Sequence, residues 1–281
     1  MERFEETISL ALELLRSGEF HRAYDIVRPL SSNSQDRFEV YQIMLRAMIA
    51  AGNIPIGIPF KGNEVSQIPR TIFQFWDTVT PPPEVQVFMQ GWSDENPGYE
   101  HLTFNNEAAA SFIHENFGME LCKQFQRCFH PAMKSDFFRL CFAFHKGGIY
   151  VDADEYCKVP LIEWMPEGID LVVSYSDWEK NTYIHNWFFG VTPKHLVIEK
   201  ALRSALQRLW AWESGVTRPY LWDATGPGNL TRAIIDTLSQ SNFEKFPSAS
   251  RLCVITEREL RNYLRAAELP YKTTASNWRR V

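Results

Sequence analysis

The chain has 281 residues, 45% hydrophobic and 22% charged, and its 34 Asp and Glu outnumber its 29 Lys and Arg for a net charge of −5. That length suits one large α/β domain, or a moderate domain with a small appendage, and the composition is that of a globular protein. No block of Lys and Arg points to nucleic acid as a partner, and no run reaches the ~18 apolar residues of a membrane span. The opening Met1-Glu2-Arg3-Phe4-Glu5-Glu6 is acidic where a secretory signal would be basic. A cytosolic protein is expected, with peripheral membrane association or delivery without a signal peptide as alternatives.

Residues 2–50 read as helix. Apolar positions recur at Ile8, Leu12 and Leu15, then Ala23, Ile26 and Val27, then Val40, Ile43, Met44 and Met48. Breaks are expected at Ser17-Gly18 and at Ser31-Ser32-Asn33-Ser34. The stretch from Leu14 to Ala23 resembles the turn of a tetratricopeptide-like helix pair, and one copy is too few to stack as a solenoid. Residues 1–52 are therefore expected as a helical appendage, a cap on the main domain in preference to a partner-binding module. The Gly-, Pro- and Asn-rich stretch 53–67 reads as a connector.

From residue 68 the pattern changes. Thr71–Trp76 is a short β-type run stopped by Pro81-Pro82-Pro83. A helix at 84–93, a strand near 99–104 and a helix at 106–116 follow. This alternation predicts an α/β fold with a mostly parallel central sheet flanked by helices. The clearest helix is 131–146, with Pro131 in its first turn and an apolar stripe at Phe137, Leu140, Cys141 and Phe144. Gly147-Gly148 ends it, Ile149-Tyr150-Val151 forms a strand, and Leu171–Ser174 forms another. The last helices are expected near 194–212, 228–239 and 256–267. The five cysteines form no CxxC, so buried reduced thiols are expected. Cys141 and His145, one helical turn apart, lack the second pair a metal would need.

The chemistry centres on Asp152-Ala153-Asp154. In open α/β sheets, ligands sit beyond the carboxyl ends of strands, and these residues follow such an end. Two carboxylates one residue apart can reach one locus. Hard oxygen donors suit Mg²⁺ or Mn²⁺, with water and substrate phosphates filling the remaining positions. Glu155 adds a third acid nearby, and such a concentration of charge favours a cation. On the preceding helix, Asp136 and Arg139 stand three apart on one face beside the apolar stripe. A charged pair so placed is expected to be partly buried and to grip the hydroxyls of a polar ligand.

The run Ser135-Asp136-Phe137-Phe138-Arg139, with Gly147-Gly148-Ile149-Tyr150-Val151-Asp152-Ala153-Asp154, resembles the DXD-containing sugar-binding region of glycosyltransferases. Fungal initiating mannosyltransferases, inositol-phosphoceramide sugar transferases, α-1,4-galactosyltransferases and the catalytic domains of clostridial glucosylating toxins share it. Ile68–Trp76 is similar to the family's first strand, with Phe73 in place of a usual His. Asn186–Gly190, Thr225–Gly228 and Ser276-Asn277-Trp278 resemble later blocks. The resemblance implies a GT-A-type catalytic domain over 68–281 and a divalent metal, Mn²⁺ or Mg²⁺. It further implies retaining transfer of a hexose from a nucleotide-diphosphate sugar to a glycan, lipid or protein acceptor. A UDP-sugar is favoured, because Trp stacking suits a pyrimidine, with GDP-mannose as the alternative.

Carried over, Asp154 would bind the metal, and Asp152 would contact the donor and help hold the ion; both are the catalytic candidates. Asp136 and Arg139 would bind sugar hydroxyls. Trp76 would stack near the base. Tyr150 and Asn186 belong to the donor site, and Ser276 and Trp278 would close over the diphosphate. Lys272-Thr273-Thr274 stands where an acidic or His ligand often precedes that element, leaving a third protein ligand unidentified. Asp223, Trp210, Trp212 and Trp222 are weaker candidates for ligand contact. Two rival classes share parts of the pattern. A nucleotide-sugar-binding protein would keep the site without turnover, and a phosphatase of the haloacid-dehalogenase type would also place Asp-x-Asp after a strand. The latter motif normally continues with Thr or Val where Tyr156 stands.

Overall fold

The computed structural model describes residues 2–31, 38–58, 67–177, 182–215, 218–240, 251–266 and 269. Three helices come first, α1 (Glu2–Arg16), α2 (Phe20–Ser31) and α3 (Phe38–Ala50). Then follow β1 (Thr71–Phe75), α4 (Pro83–Glu95), β2 (Glu100–Phe104), α5 (Asn106–Phe117), α6 (Met119–Arg127) and α7 (Pro131–Lys146). The middle of the chain holds β3 (Gly148–Val151), β4 (Glu155–Cys157), α8 (Leu161–Trp164), β5 (Leu171–Tyr175) and β6 (Ile184–Val191). The remainder is α9 (Leu196–Glu213), α10 (Leu221–Ala224), α11 (Pro227–Gln240), β7 (Leu252–Thr256), α12 (Glu257–Leu260) and β8 (Leu264–Ala266). None of the described helices is long and apolar enough to cross a membrane.

The fold is α/β, and its central sheet is mostly parallel, as the alternating pattern predicts. Six strands lie in the order β2-β1-β3-β6-β5-β7, and only β6 runs against the others. Side chains alternate between two apolar layers, as strand geometry requires. Phe73, Tyr150 and Val173 face a core shared with α5, α7, α9 and α11. Ile72, Ile149 and Val172 face a smaller core closed by Trp92 of α4, Leu161 and Trp164 of α8, and Leu264 of β8. Much of the chain's Phe content goes into one interlocked cluster. Ring centroids lie 4.2 Å apart for Phe73–Phe142, 4.8 Å for Phe104–Phe138 and 5.0 Å for Phe112–Phe142. Phe73, at the position of the family's usual His, is thus a core residue.

The expected final helix near 256–267 is corrected. Only α12 forms there, capped by the Thr256 hydroxyl, and the chain then extends as β8 to pair antiparallel with β4. Alternation of Leu260, Leu264 and the charged residues around them fits a helix as well as a strand, and the long-range pairing with β4 decides the outcome. The helix α6 and strands β4, β6 and β7 are additions to the expected elements. All five cysteines are free and buried, in keeping with the expected thiols. Cys141 is enclosed in the core, while His145 packs edge-on to Phe112 and Phe117.

Helices α1 to α3 share the larger core with the sheet. The Tyr24 hydroxyl donates to Ser239 Oγ at 2.6 Å, and Phe38 meets Trp222 edge-on at 4.4 Å. Arg232 of α11 lies 5.5 Å over each of the Phe38 and Tyr41 rings and pairs with Asp223 at 2.6 Å.

The turn from α7 into β3 depends on two glycines with positive φ, 68° at Gly147 and 105° at Gly148. A Cβ on Gly148 would stand 2.7 Å from the Thr71 carbonyl oxygen of β1. Neither the backbone conformation nor the space admits a side chain. Gly148→Ala is expected to destabilise the fold by about 2–4 kcal/mol, read as a lower midpoint in urea unfolding.

Candidate active site

Strand order places the site. From β1 the chain passes to β2 on one side and later to β3 on the other, so the direction of winding reverses between β1 and β3. A crevice opens at the carboxyl ends of strands at such a switch point. Trp76 follows β1 and Asp152 follows β3, so the two expected residues flank it. Gln74 ties the strand ends together: its Nε2 donates to the Asp152 carbonyl at 3.4 Å, and its Oε1 meets His101 Nε2 at 2.8 Å. Across the other neighbour, the Asp152 amide donates to the Trp187 carbonyl at 2.9 Å. Because β6 runs backwards, its first residues rather than its last reach this edge.

Helix α7 packs against one face of the sheet, buried on nearly all sides, and its Asp136 and Arg139 are 5% and 4% exposed. The pair is more deeply enclosed than a helix surface would make it. Arg139 Nη2 lies 3.2 Å from Asp136 Oδ1 and 3.0 Å from Asp152 Oδ1. Its Nε donates to the Ser135 carbonyl at 3.3 Å, and its Nη1 donates to the Asn186 carbonyl. The guanidinium also stacks over the Tyr150 ring at 4.1 Å. A buried cation needs this density of partners, since each unpaired donor would carry its full desolvation cost.

A directed chain of hydrogen bonds runs alongside. Arg139 Nη2 donates to Ser135 Oγ at 2.8 Å, Ser135 meets the Tyr150 hydroxyl at 2.9 Å, and that hydroxyl donates to Asp152 Oδ1 at 2.7 Å. Burial holds the Tyr150 phenol well above its ordinary pKa, so it stays protonated and donates. Asp136 accepts from Asn186 Nδ2 at 2.7 Å and from the Thr225 hydroxyl at 3.4 Å. Burial raises the Asp136 pKa, and Arg139, Asn186 and Thr225 pull it back down.

Asp152 differs from its neighbours in facing outward, with a third of its side chain exposed. Burial pushes its pKa up to about 6, the negative charge of Asp154 adds to the rise, and Arg139 and the Tyr150 hydroxyl oppose it. Asp154, two residues on, is partly exposed. Between them Ala153 turns inward to pack with Val85, Met89 and Trp76. The small residue lets the turn lie against α4. The two carboxylates form an oxygen donor set fit for a hard divalent cation that draws its other ligands from phosphate and water. Among the described residues no group of three or more His, Cys, Asp or Glu could hold an ion unaided.

Of the expected site residues, Asp136, Arg139, Tyr150, Asp152 and Asn186 are joined in one network, and Trp76 and Asp154 lie at its rim. Ser276 and Trp278, with Lys272-Thr273-Thr274, lie outside the described residues. Glu155 does not add to the pair: it is buried against Arg261, with Nη1 2.6 Å from Oε2. Burial raises its pKa to about 7, against the pull of Arg261. Asp223 is likewise taken up by Arg232. Ser135, Gln74, Thr225 and Arg261 join the expected residues. Ser135, Gln74 and Thr225 lie inside the quoted motifs, whereas nothing in the sequence distinguishes Arg261.

Residues 82–169 match the family model described as glycosyltransferase sugar-binding region containing DXD motif. This segment of the chain is similar to such a region, and Asp152-Ala153-Asp154 lies within the matched residues. Among similar proteins, the initiation-specific alpha-1,6-mannosyltransferase of Schizosaccharomyces pombe is 24% identical over 62% of this chain and 50% of its own length. The inositol phosphoceramide mannosyltransferase 1 of the same organism is 29% identical over 50% of this chain and 44% of its own. The chain thus spans about half the length of the relatives it matches. Among solved structures, the PaToxG glycosyltransferase aligns over 93% of this chain and 96% of its own with a TM-score of 0.43 and 15% identity.

Arg139→Met would leave Asp136 and Asp152 without their shared counter-charge. A loss of about 3–5 kcal/mol of stability is expected, measured by urea unfolding. Arg139→Lys is expected to recover little of it, since an ammonium cannot span the same fork of acceptors.

Proposed function

We propose that the protein is a metal-dependent glycosyltransferase of the GT-A type that moves a hexose from a nucleotide-diphosphate sugar to an acceptor. The observation that carries this reading is the outward-facing Asp152, held by Arg139 and Tyr150 at the switch point, with Asp154 beside it in a glycosyltransferase sugar-binding region. The division of labour proposed with it makes residues 68–281 the catalytic unit and 1–52 a helical cap buttressing the Trp222–Gly228 turn.

In this reading Asp152 and Asp154 hold Mn²⁺ or Mg²⁺, and the ion, when bound, supplies Lewis-acid stabilisation of the departing diphosphate. The protein's own groups do the rest. Asp136 and Arg139 form the floor beneath the donor's sugar, and Tyr150 and Asn186 hold that floor rigid. Trp76 offers its ring near the base, and Ser276 and Trp278 complete the diphosphate site. Preorganised charge is the main contribution, because Arg139 and the Tyr150 hydroxyl are set before any substrate arrives. Retention of anomeric configuration belongs to the same proposal. The named relatives are mannosyltransferases, so GDP-mannose stands beside UDP-hexoses among the candidate donors.

A panel of UDP- and GDP-sugars, incubated with Mn²⁺ or with EDTA, tests the reading by donor consumption. One donor is expected to be consumed only with metal, and Asp154→Asn to lower the rate at least about 100-fold. Metal-dependent binding with no consumption of any donor, with or without candidate acceptors, would favour a nucleotide-sugar-binding protein. Phosphate release from simple monoesters would favour a phosphatase.

A proton and a cation compete for Asp152. Below about pH 6 its carboxyl is protonated, neutral and a poor ligand for a hard ion; above, it is charged. Mn²⁺ affinity is therefore expected to rise with pH through about 6 and then level off, measured by electron paramagnetic resonance of free Mn²⁺ from about pH 5 to about pH 8.

A further inference from the structure

The Asp152–Asp154 turn is suspended between two pieces of sheet. On its upstream side β3 lies in the central sheet, and the Asp152 amide is fixed to the Trp187 carbonyl. On its downstream side β4 pairs with β8, Glu155 opposite Ala266 and Cys157 opposite Leu264. One side chain touches both supports. Arg261 Nη1 is 2.6 Å from Glu155 Oε2, and the same guanidinium lies 4.4 Å over the Trp187 ring. Arg261 is itself anchored: its amide donates to the Glu257 carbonyl at 2.9 Å, its Nη2 stands 3.4 Å from Glu257 Oε1, and its carbonyl accepts from Lys158 Nζ at 3.0 Å. Glu155 cannot turn to solvent, because its side chain is 6% exposed and its carbonyl is held by Trp92 Nε1 at 2.8 Å.

We infer that Arg261 is a positioning residue for the metal site: by gripping Glu155 and covering Trp187 it sets the turn so that Asp154 presents its carboxylate beside Asp152. This rests on the metal-dependent reading above. The role described for Arg261 runs through the residues on each side of the pair, Glu155 and Trp187. Groups that orient metal ligands from behind are worth about 10–100-fold in metal affinity. The planar fork suits the role, since one guanidinium bonds two carboxylates in its plane while its face rests on an indole.

The test uses the full chain as wild type, Arg261→Met, Glu155→Gln and the double variant E155Q/R261M. Mn²⁺ binding in the presence of UDP or GDP is followed by electron paramagnetic resonance, and stability by urea unfolding. R261M is expected to weaken Mn²⁺ binding about 10-fold or more and to lower the unfolding midpoint. The double variant removes the buried carboxylate that R261M leaves unpaired, so its midpoint is expected to return towards wild type while its Mn²⁺ affinity stays low. That separation of the two readouts distinguishes positioning from a merely structural ion pair. Should R261M fail to fold, E155Q/R261M carries the comparison. Wild-type Mn²⁺ affinity in any folded variant lacking Arg261 would overturn the inference while leaving the metal reading intact. A wild-type protein that binds no Mn²⁺ with either nucleotide would overturn the metal reading itself, and this inference with it.

Discussion

The site depends on burying one guanidinium. Arg139 lies beneath the crevice with almost no contact with water, and it is stable there only because Asp136, Asp152, Ser135, the Asn186 carbonyl and the Tyr150 ring all meet it. Those partners come from three parts of the fold: α7 itself, the end of β3, and the reversed strand β6. Satisfying the cation thus requires that the helix and the two strands be in register. The same requirement fixes Asp152, whose Oδ1 receives both the guanidinium and the Tyr150 hydroxyl. Stability and the geometry of the ligand-binding edge are here one constraint.

The electrostatic consequence is a graded set of carboxylates. Asp136 is fully enclosed, its pKa raised by burial and opposed by its donors. Asp152 is half committed to Arg139 and half open to the crevice. Asp154 is likewise partly exposed. Two anions so close, with a single buried cation behind them, leave residual negative charge facing outward. Under the proposed function, a divalent ion with phosphate ligands would answer that charge.

Much of this was legible in the sequence, and for identifiable reasons. The helix 131–146 carries its stripe, its leading Pro131 and its Gly-Gly stop within a few residues of one another, so local physics specifies it. The placement of Asp152 and Asp154 past a strand end follows directly. The pairing of Asp136 with Arg139 is a matter of helical spacing. What could not be read is what depends on distant partners. The strand β8 has no local signal stronger than that of a helix and exists because β4 is there to pair with it. Glu155 looks like a third acid of the cluster until Arg261, 106 residues away in sequence, is seen to claim it. Asn186 and Thr225 stand in recognisable blocks, yet their convergence on Asp136 belongs to the tertiary fold.

The contacts of the N-terminal helices carry a consequence for how such a chain can be cut and joined. Phe38 and Tyr41 press on Trp222 and Arg232, and that surface shapes the tight turn in which Gly228 leaves no room for a Cβ beside the Trp222 ring. Thr225, in the same turn, reaches Asp136. The leading helices are therefore not a cassette that could be exchanged between chains at the connector. A graft made there would have to bring its own complement to Trp222 and Arg232, and a mismatch would be felt first at Thr225 and Asp136 rather than in the helices themselves.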